Sequence, residues 1–236
     1  AACGGTALGV LTAAPGVIAD VLQPPSLFAT FLAPPERLPS AGVPDYPYQP
    51  PRLLPGHAGT PPDLLIVVLE SVRADAVPGF AAPPAARQAD MPHLARLAAT
   101  SRRFQRVYTT TSHTSKALVG LLCGHHPHPG LAIREAEPDG LPGPCLPALL
   151  REAGYRTLFL SSATGEFEQR RELTANMGFA ETRVREDIGA GFAASGYFGA
   201  DESALVAPPP AWWRAPRPGP RLAALLTSVT HHPYPL

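Results

Sequence analysis

Residues 63–75 read DLLIVVLESVRAD. Asp63–Leu69 is an unbroken run rich in branched apolar residues, preceded by Pro61 and Pro62 and followed by polar ones. A short run of this kind, without polar alternation, is the pattern of a strand covered on both faces of a parallel sheet. Helix-like and strand-like stretches alternate downstream of it. Met91–Ser101 places Leu94, Leu97 and Ala98 at helical spacing. Phe104–Thr109 reads as a short strand. Ser115–Cys123 reads as a helix stopped by Gly124 with Pro127 beyond, and Pro147–Ala153 as a helix closed by Gly154. Arg156–Ser161 is a second buried strand, Glu166–Met177 an amphipathic helix closed by Gly178, and Arg221–Val229 a third apolar strand running into His231. Strands alternating with helices predict an α/β fold with a mainly parallel sheet. Pro208–Pro220, around Trp212 and Trp213, reads as a surface loop.

Upstream the character differs. Residues 1–62 carry Pro34, Pro35, Pro39, Pro44, Pro47, Pro50 and Pro51, which forbid long helices and sheet interiors. The expectation there is an extended leader or linker with one short helix near Gly16–Leu22, giving two segments, 1–62 and 63–236. Ala7–Ala33 is apolar but interrupted by Pro15, Pro24 and Pro25, and no stretch reaches the ~18–20 apolar residues of a membrane span. The chain begins with Ala1 and has no basic leader ahead of an apolar stretch, so it is expected to begin inside a longer or processed protein, with an upstream membrane anchor left open.

With 236 residues, 45% hydrophobic, the chain can bury a substantial core. A formal net charge of +0 gives no footprint for nucleic acid and no acidic solvating tail. Lys116 is the single lysine among 19 basic residues. The cysteines are Cys3, Cys123 and Cys145, with no CxxC pair for a thiolate zinc or redox site. Cys123 and Cys145 are either a disulfide, contributing about 3 kcal/mol in an oxidising compartment, or two buried thiols.

Functional groups in open α/β sheets collect at the carboxyl ends of strands. Glu70 stands at the end of the first core strand, where a buried carboxylate needs a metal, an arginine or solvent; the plainer alternative is a solvated strand end paired locally with Arg73. Thr109–Gly124, TTTSHTSKALVGLLCG, leads a run of hydroxyls into a helix N-terminus whose free N–H groups favour sulfate or phosphate. Thr114 or Ser115 would sit at that pole, with Lys116 one turn inside, or would simply cap the helix. A hydroxyl becomes a useful nucleophile only when a base or metal depresses its pKa. Thr230–Tyr234, THHPY, offers two histidines at another strand end, for an anionic oxygen, a metal or plain solvation. Gly124–Pro129, GHHPHP, is a rival histidine cluster that reads as a loop.

The ordered set VLESVRAD, PHLARLA, TSHTSKAL, LREAGYRTLFL and a strand ending in THHPY resembles the sulfatase and alkaline phosphatase superfamily over Asp63–Leu236. It is most similar to the threonine-nucleophile branch of lipoteichoic acid synthase and phosphoethanolamine transferases. The resemblance implies an alkaline phosphatase-like α/β sandwich, incomplete at the C-terminus. Glu70 matches the first metal-ligand carboxylate, and Ser71 falls where many sulfatases have a second aspartate. Formylglycine sulfatases show Cys/Ser-x-Pro-Ser-Arg. Laid on Lys116, that pattern puts Ser112 on the nucleophile and Thr114 on the proline, but the proline and arginine are missing. The threonine register puts the nucleophile, which also touches the metal, at Thr114. Cys123 lies inside the helix and does not fit a formylglycine precursor. His231 matches the substrate-binding histidine of His-x-Pro. Lys116 would add positive charge around the substrate's anion and, with His231, stabilise the charge developing on its equatorial oxygens in catalysis; Arg73 would do likewise or simply pair with Asp75.

The implied cofactor is a divalent ion, whether zinc, manganese, magnesium or calcium. The implied substrate is a small or lipid-linked sulfate or phosphate ester, and the implied location is the cell envelope or periplasm. An Asp-His ligand pair expected downstream of the His-x-Pro strand is not found before Leu236. The 236-residue chain alone is therefore expected to bind metal weakly and to be inactive. Alternatives are a phosphoglycerol- or phosphoethanolamine-type transferase, an anion-binding module without chemistry, and a structural domain.

Overall fold

Four parallel strands organise the computed structural model, which describes residues 60–77, 91–104, 106–188, 191–195, 199–206, 208–216 and 218–231. They are β1 (Leu64–Val68), β2 (Arg156–Ser161), β3 (Glu181–Arg183) and β6 (Arg221–Leu226), in the spatial order β1-β6-β2-β3. A separate two-stranded antiparallel pair joins β4 (Ala194–Ser195) to β5 (Gly199–Ala200). The last strand in the chain thus enters between the first two. Val68 and Ser161 both pair with Leu226, so the carboxyl ends of β1, β6 and β2 lie level. The predicted 1–62 leader, including the Gly16–Leu22 helix, lies outside the described residues apart from Thr60–Pro62.

Helices cover both faces of the sheet. On one face α2 (Thr114–Cys123), α3 (Leu146–Glu152) and α4 (Arg170–Asn176) pack Leu118, Val119, Leu122, Leu150, Leu173 and Met177 against Phe159, Leu222, Ala224 and Leu226. On the other, α6 (Pro208–Arg214) sets Trp212 against Leu158 and Ala223. Side chains such as Leu158 and Leu222, wholly out of water, contribute about 1.5–3 kcal/mol each. Two further helices are α1 (Pro92–Thr100) and α5 (Arg185–Ile188). The α/β class with a helix-flanked parallel sheet is the one read from the sequence.

Several elements depart from that reading. β1 is an edge strand: Leu65 and Val67 are 59% and 50% exposed, while Leu64, Ile66 and Val68 pack on the core. Among the described residues it is covered on one face: Trp212 of α6 packs on Leu158 and Ala223, and α6 meets the β1 side only through Trp213 Nε1 on Asp63. Among the described residues, Phe104 and Arg106–Thr109 lie in no strand. Strands exist through their partners, and no ladder partner lies beside this stretch among the described residues. The expected Glu166–Met177 helix is broken into a 3-10 turn, Phe167–Gln169, and α4, with Glu168 and Gln169 at φ 57° and 51°. The proline-rich stretch expected as a loop contains α6, whose prolines occupy the first turn, where no intrahelical N–H is needed. β6 ends at Leu226 rather than Val229.

Cys123 and Cys145 form a disulfide, joining the C-terminus of α2 to the N-cap of α3. α2 ends on Gly124 in the left-handed region, as expected. Gly120 lets the segment before α2 lie against the helix: a Cβ there would meet Thr110 at 2.8 Å.

Candidate active site

Glu70 and Thr114 come together although 44 residues separate them: Thr114 Oγ1 donates to Glu70 Oε1 at 3.0 Å. Glu70 follows β1, and Thr114 is the first residue of α2. The backbone of Glu70 is gripped from the end of β6. Its N–H donates to Thr227 Oγ1 at 2.9 Å, and its carbonyl accepts from Thr230 Oγ1. Thr227 N–H continues the ladder to Val68 O. Ser71 stands at φ 52° and donates its hydroxyl to Glu70 Oε1 at 3.0 Å. The loop after β6 is pinned by Glu202, which accepts from Ser162 Oγ and from the N–H groups of Ser228 and Val229. His231 follows, with its N–H on Ser228 O and its ring edge-on to Phe167.

A small cavity touches Glu70, Thr114, Phe167, Arg170, Thr227 and His231. Arg170 is the feature that sequence reasoning missed. Its side chain is 1% exposed. Nη2 donates to Glu168 Oε2 at 3.3 Å, while buried Nε and Nη1 meet no acceptor among the described residues. Burial lowers the guanidinium pKa, and the nearby carboxylates of Glu168 and Glu70 oppose that shift. Buried donors without acceptors are costly, and a guanidinium fork beside a hydroxyl suits a tetrahedral oxyanion. A second cavity, of about 620 Å³, is also lined by Glu70 and Thr114 and is bounded by Leu69, Tyr108, Thr110, His113 and Leu121.

Lys116, expected to bind substrate, lies outside this cluster. Two positions beyond Thr114, it points about 200° around the helix. There Nζ is buried against Glu135 Oε2 at 3.4 Å and donates to His128 O at 2.7 Å. Glu135 also accepts from His128 N–H. The GHHPHP loop is therefore fastened through the His128 backbone, whose N–H and carbonyl are bonded to the two members of the buried Lys116–Glu135 pair. Arg73 is exposed at the start of the turn Ala74–Ala76. Ser112 is exposed, and of the two candidate nucleophiles it is Thr114 whose hydroxyl is bonded to Glu70, on the oxygen that Ser71 also reaches. Neither Thr114 nor Ser115 caps α2 with its own side chain. The N-cap is His113, without a side-chain cap bond, and Glu168 receives Ser115 N–H from a distant element.

Glu70 and Thr114 offer two hard oxygen donors to a divalent ion, which suits zinc, manganese, magnesium or calcium as part of a ligand set. No group of three His, Cys, Asp or Glu side chains joins them among the described residues. Among the described residues, no helix is long and apolar enough to cross a membrane.

Comparison with known proteins gives the same outline. The sulfatase family model matches residues 62–235. A protein of the alkaline phosphatase superfamily from Vibrio parahaemolyticus superposes with a TM-score of 0.64 at 20% identity, over 76% of this chain and 43% of its own. The lipoteichoic acid synthase LtaP of Listeria monocytogenes gives 0.59 at 19% identity, over 73% and 41%. The C-terminal periplasmic domain of EcEptC from Escherichia coli, solved in complex with Zn, gives 0.53 at 20% identity, over 75% and 46%. The chain spans less than half the length of each of these structures. No curated protein matches it by sequence.

Proposed function

The chain belongs to the sulfatase family, within the alkaline phosphatase superfamily, and from that premise we propose that it carries the nucleophile of a metal-dependent hydrolase of sulfate or phosphate esters, with Thr114 as that nucleophile. The observation that carries the reading is the Thr114–Glu70 hydrogen bond, 3.0 Å long, in a cavity shared with Arg170 and His231.

Glu70 and Thr114 would hold the divalent ion. When bound, the ion supplies Lewis acidity that lowers the pKa of a coordinated hydroxyl and polarises the ester. Glu70 fixes the Thr114 hydroxyl through the bond it accepts, and the threonine clasp on its backbone fixes Glu70. Thr114 Oγ1 attacks sulfur or phosphorus in line as the bond to the leaving alcohol breaks, giving a covalent ester. Arg170 Nε and Nη1, with His231, take the charge growing on the equatorial oxygens. The cavity beside Thr110 and Leu121 has room for the leaving group. Water then frees the anion and restores Thr114.

A second reading is transfer of a phosphoglycerol or phosphoethanolamine group to an acceptor alcohol in the cell envelope, from a lipid-linked donor. It is supported by the likeness to a lipoteichoic acid synthase and to a periplasmic domain solved with Zn. The test is turnover of p-nitrophenyl sulfate and p-nitrophenyl phosphate by the full-length protein with added zinc or manganese, with and without excess glycerol. Hydrolysis yields only the free anion, and transfer diverts it into a glycerol ester. Thr114→Ala abolishes both; turnover that survives in this variant contradicts the nucleophile.

A further inference from the structure

Glu168 sits where a helix is broken to place it. The local sequence favours continuation from Glu166 through Met177, yet Glu168 and Gln169 both adopt left-handed φ, 57° and 51°. Two such non-glycine residues are strained and persist only where their surroundings hold them. The break carries the Glu168 carboxylate to the N-terminus of α2, where it meets both chain neighbours of Thr114. Oε2 accepts from Ser115 N–H at 3.1 Å and from Ser115 Oγ at 2.6 Å. Oε1 stands 3.2 Å from His113 Nδ1, near enough for an ion pair with a protonated ring but without the geometry of a hydrogen bond. Oε2 also receives Arg170 Nη2 at 3.3 Å. Ser115 and Arg170 are buried, so these contacts are shielded from competing water.

We propose that Glu168 is a positioning residue that sets Thr114 and Arg170 against each other, one carboxylate clamping the turn that carries the hydroxyl and the guanidinium that faces it. The inference rests on the reading of Thr114 as nucleophile. A simple helix cap needs only the Ser115 N–H. The additional hold on Arg170 couples the two halves of the site, and leaves Arg170 Nε and Nη1 for an anion.

The clamp and the anion site can be tested separately on the 236-residue chain. Hydrogen exchange is followed at Ser115 and Ala117 in the first turn of α2, with Leu158 and Leu160 in β2 as the control for global folding. Removing a charge-assisted acceptor in Glu168→Ala accelerates exchange at Ser115 and Ala117 about tenfold or more, with the β2 amides unchanged. Glu168→Gln, which keeps the shape and one acceptor, recovers a large part of that protection. If the β2 amides of Glu168→Ala lose protection, the sulfate affinity of Glu168→Gln decides instead. Sulfate affinity, measured by calorimetry, falls in both variants because Arg170 loses its orientation. Electrostatics alone predicts the opposite, since a negative charge next to Arg170 has been removed. Unchanged exchange at Ser115 and Ala117 in folded Glu168→Ala, or sulfate binding that is unchanged or tighter in either variant, overturns the proposal. If the parent chain binds no sulfate or phosphate, the anion-site reading fails, and exchange alone decides the clamp.

Discussion

Thr114, Glu70 and Arg170 reach one cavity from three separate places in the chain, and their legibility in the sequence differs for physical reasons. Glu70 and His231 follow apolar strands, so a parallel sheet brings them to one edge. Thr114 opens a helix whose stop at Gly124 is visible. Arg170 could not be singled out, because its burial depends on the kink at Glu168 and on an unbroken helix it reads as a surface arginine. Lys116 drew notice by rarity, which reflects composition, and the helix turns it toward Glu135. For Arg170 the expectation is that Arg170→Ala lowers kcat/KM about 10²–10³-fold in steady-state assays. Arg170→Lys does not restore it, because a point charge cannot reproduce the planar fork.

At the scale of elements, α2 is held at both ends: by Glu168 at Ser115 and by the Cys123–Cys145 disulfide at its C-terminus. Cys123→Ser is expected to lower the stability by about 3 kcal/mol, read from urea unfolding of variant and parent, with reductant bringing the parent to the variant's midpoint. The short β3 has no apolar run to announce it. Its Glu181 accepts from Arg156 Nη2 at 2.9 Å and Trp212 Nε1 at 2.8 Å, while Arg156 lies over the Trp212 ring. This joins β2, β3 and α6. Burial alone would raise the Glu181 pKa, but the hydrogen bonds from Trp212, Arg156 and Arg183 outweigh it and hold the carboxyl below its usual range. A depressed folded pKa gives stability that is present above the unfolded value, about 4.3, and lost as pH falls through the folded one. Glu181→Gln should therefore flatten the acid limb of a stability–pH curve in that window while changing the slope near neutrality little. α6 was hidden because proline in a first turn looks, in sequence, like proline in a loop.

Across the whole molecule the parallel sheet and its helical layers were legible, since apolar runs alternate with helical periodicity from Asp63 onward. The face of β1 that is open among the described residues was not, because exposure depends on what covers a strand and the run itself cannot show it. Level carboxyl ends of β1, β6 and β2 place the carboxylate, the histidine loop and the kinked segment bearing Arg170 around Thr114. Glu70→Gln in the full-length protein is expected to weaken zinc binding at least tenfold in competition with a chelator, as loss of a charged ligand requires. The most direct measurement is mass spectrometry of the full-length protein, acid-quenched during turnover of p-nitrophenyl sulfate or p-nitrophenyl phosphate with zinc or manganese. A sulfuryl or phosphoryl group on the peptide containing Thr114, localised to that residue and absent from Thr114→Ala, is the predicted result. Turnover with the group on Ser112 or Ser115, or with no covalent ester at all, would contradict it.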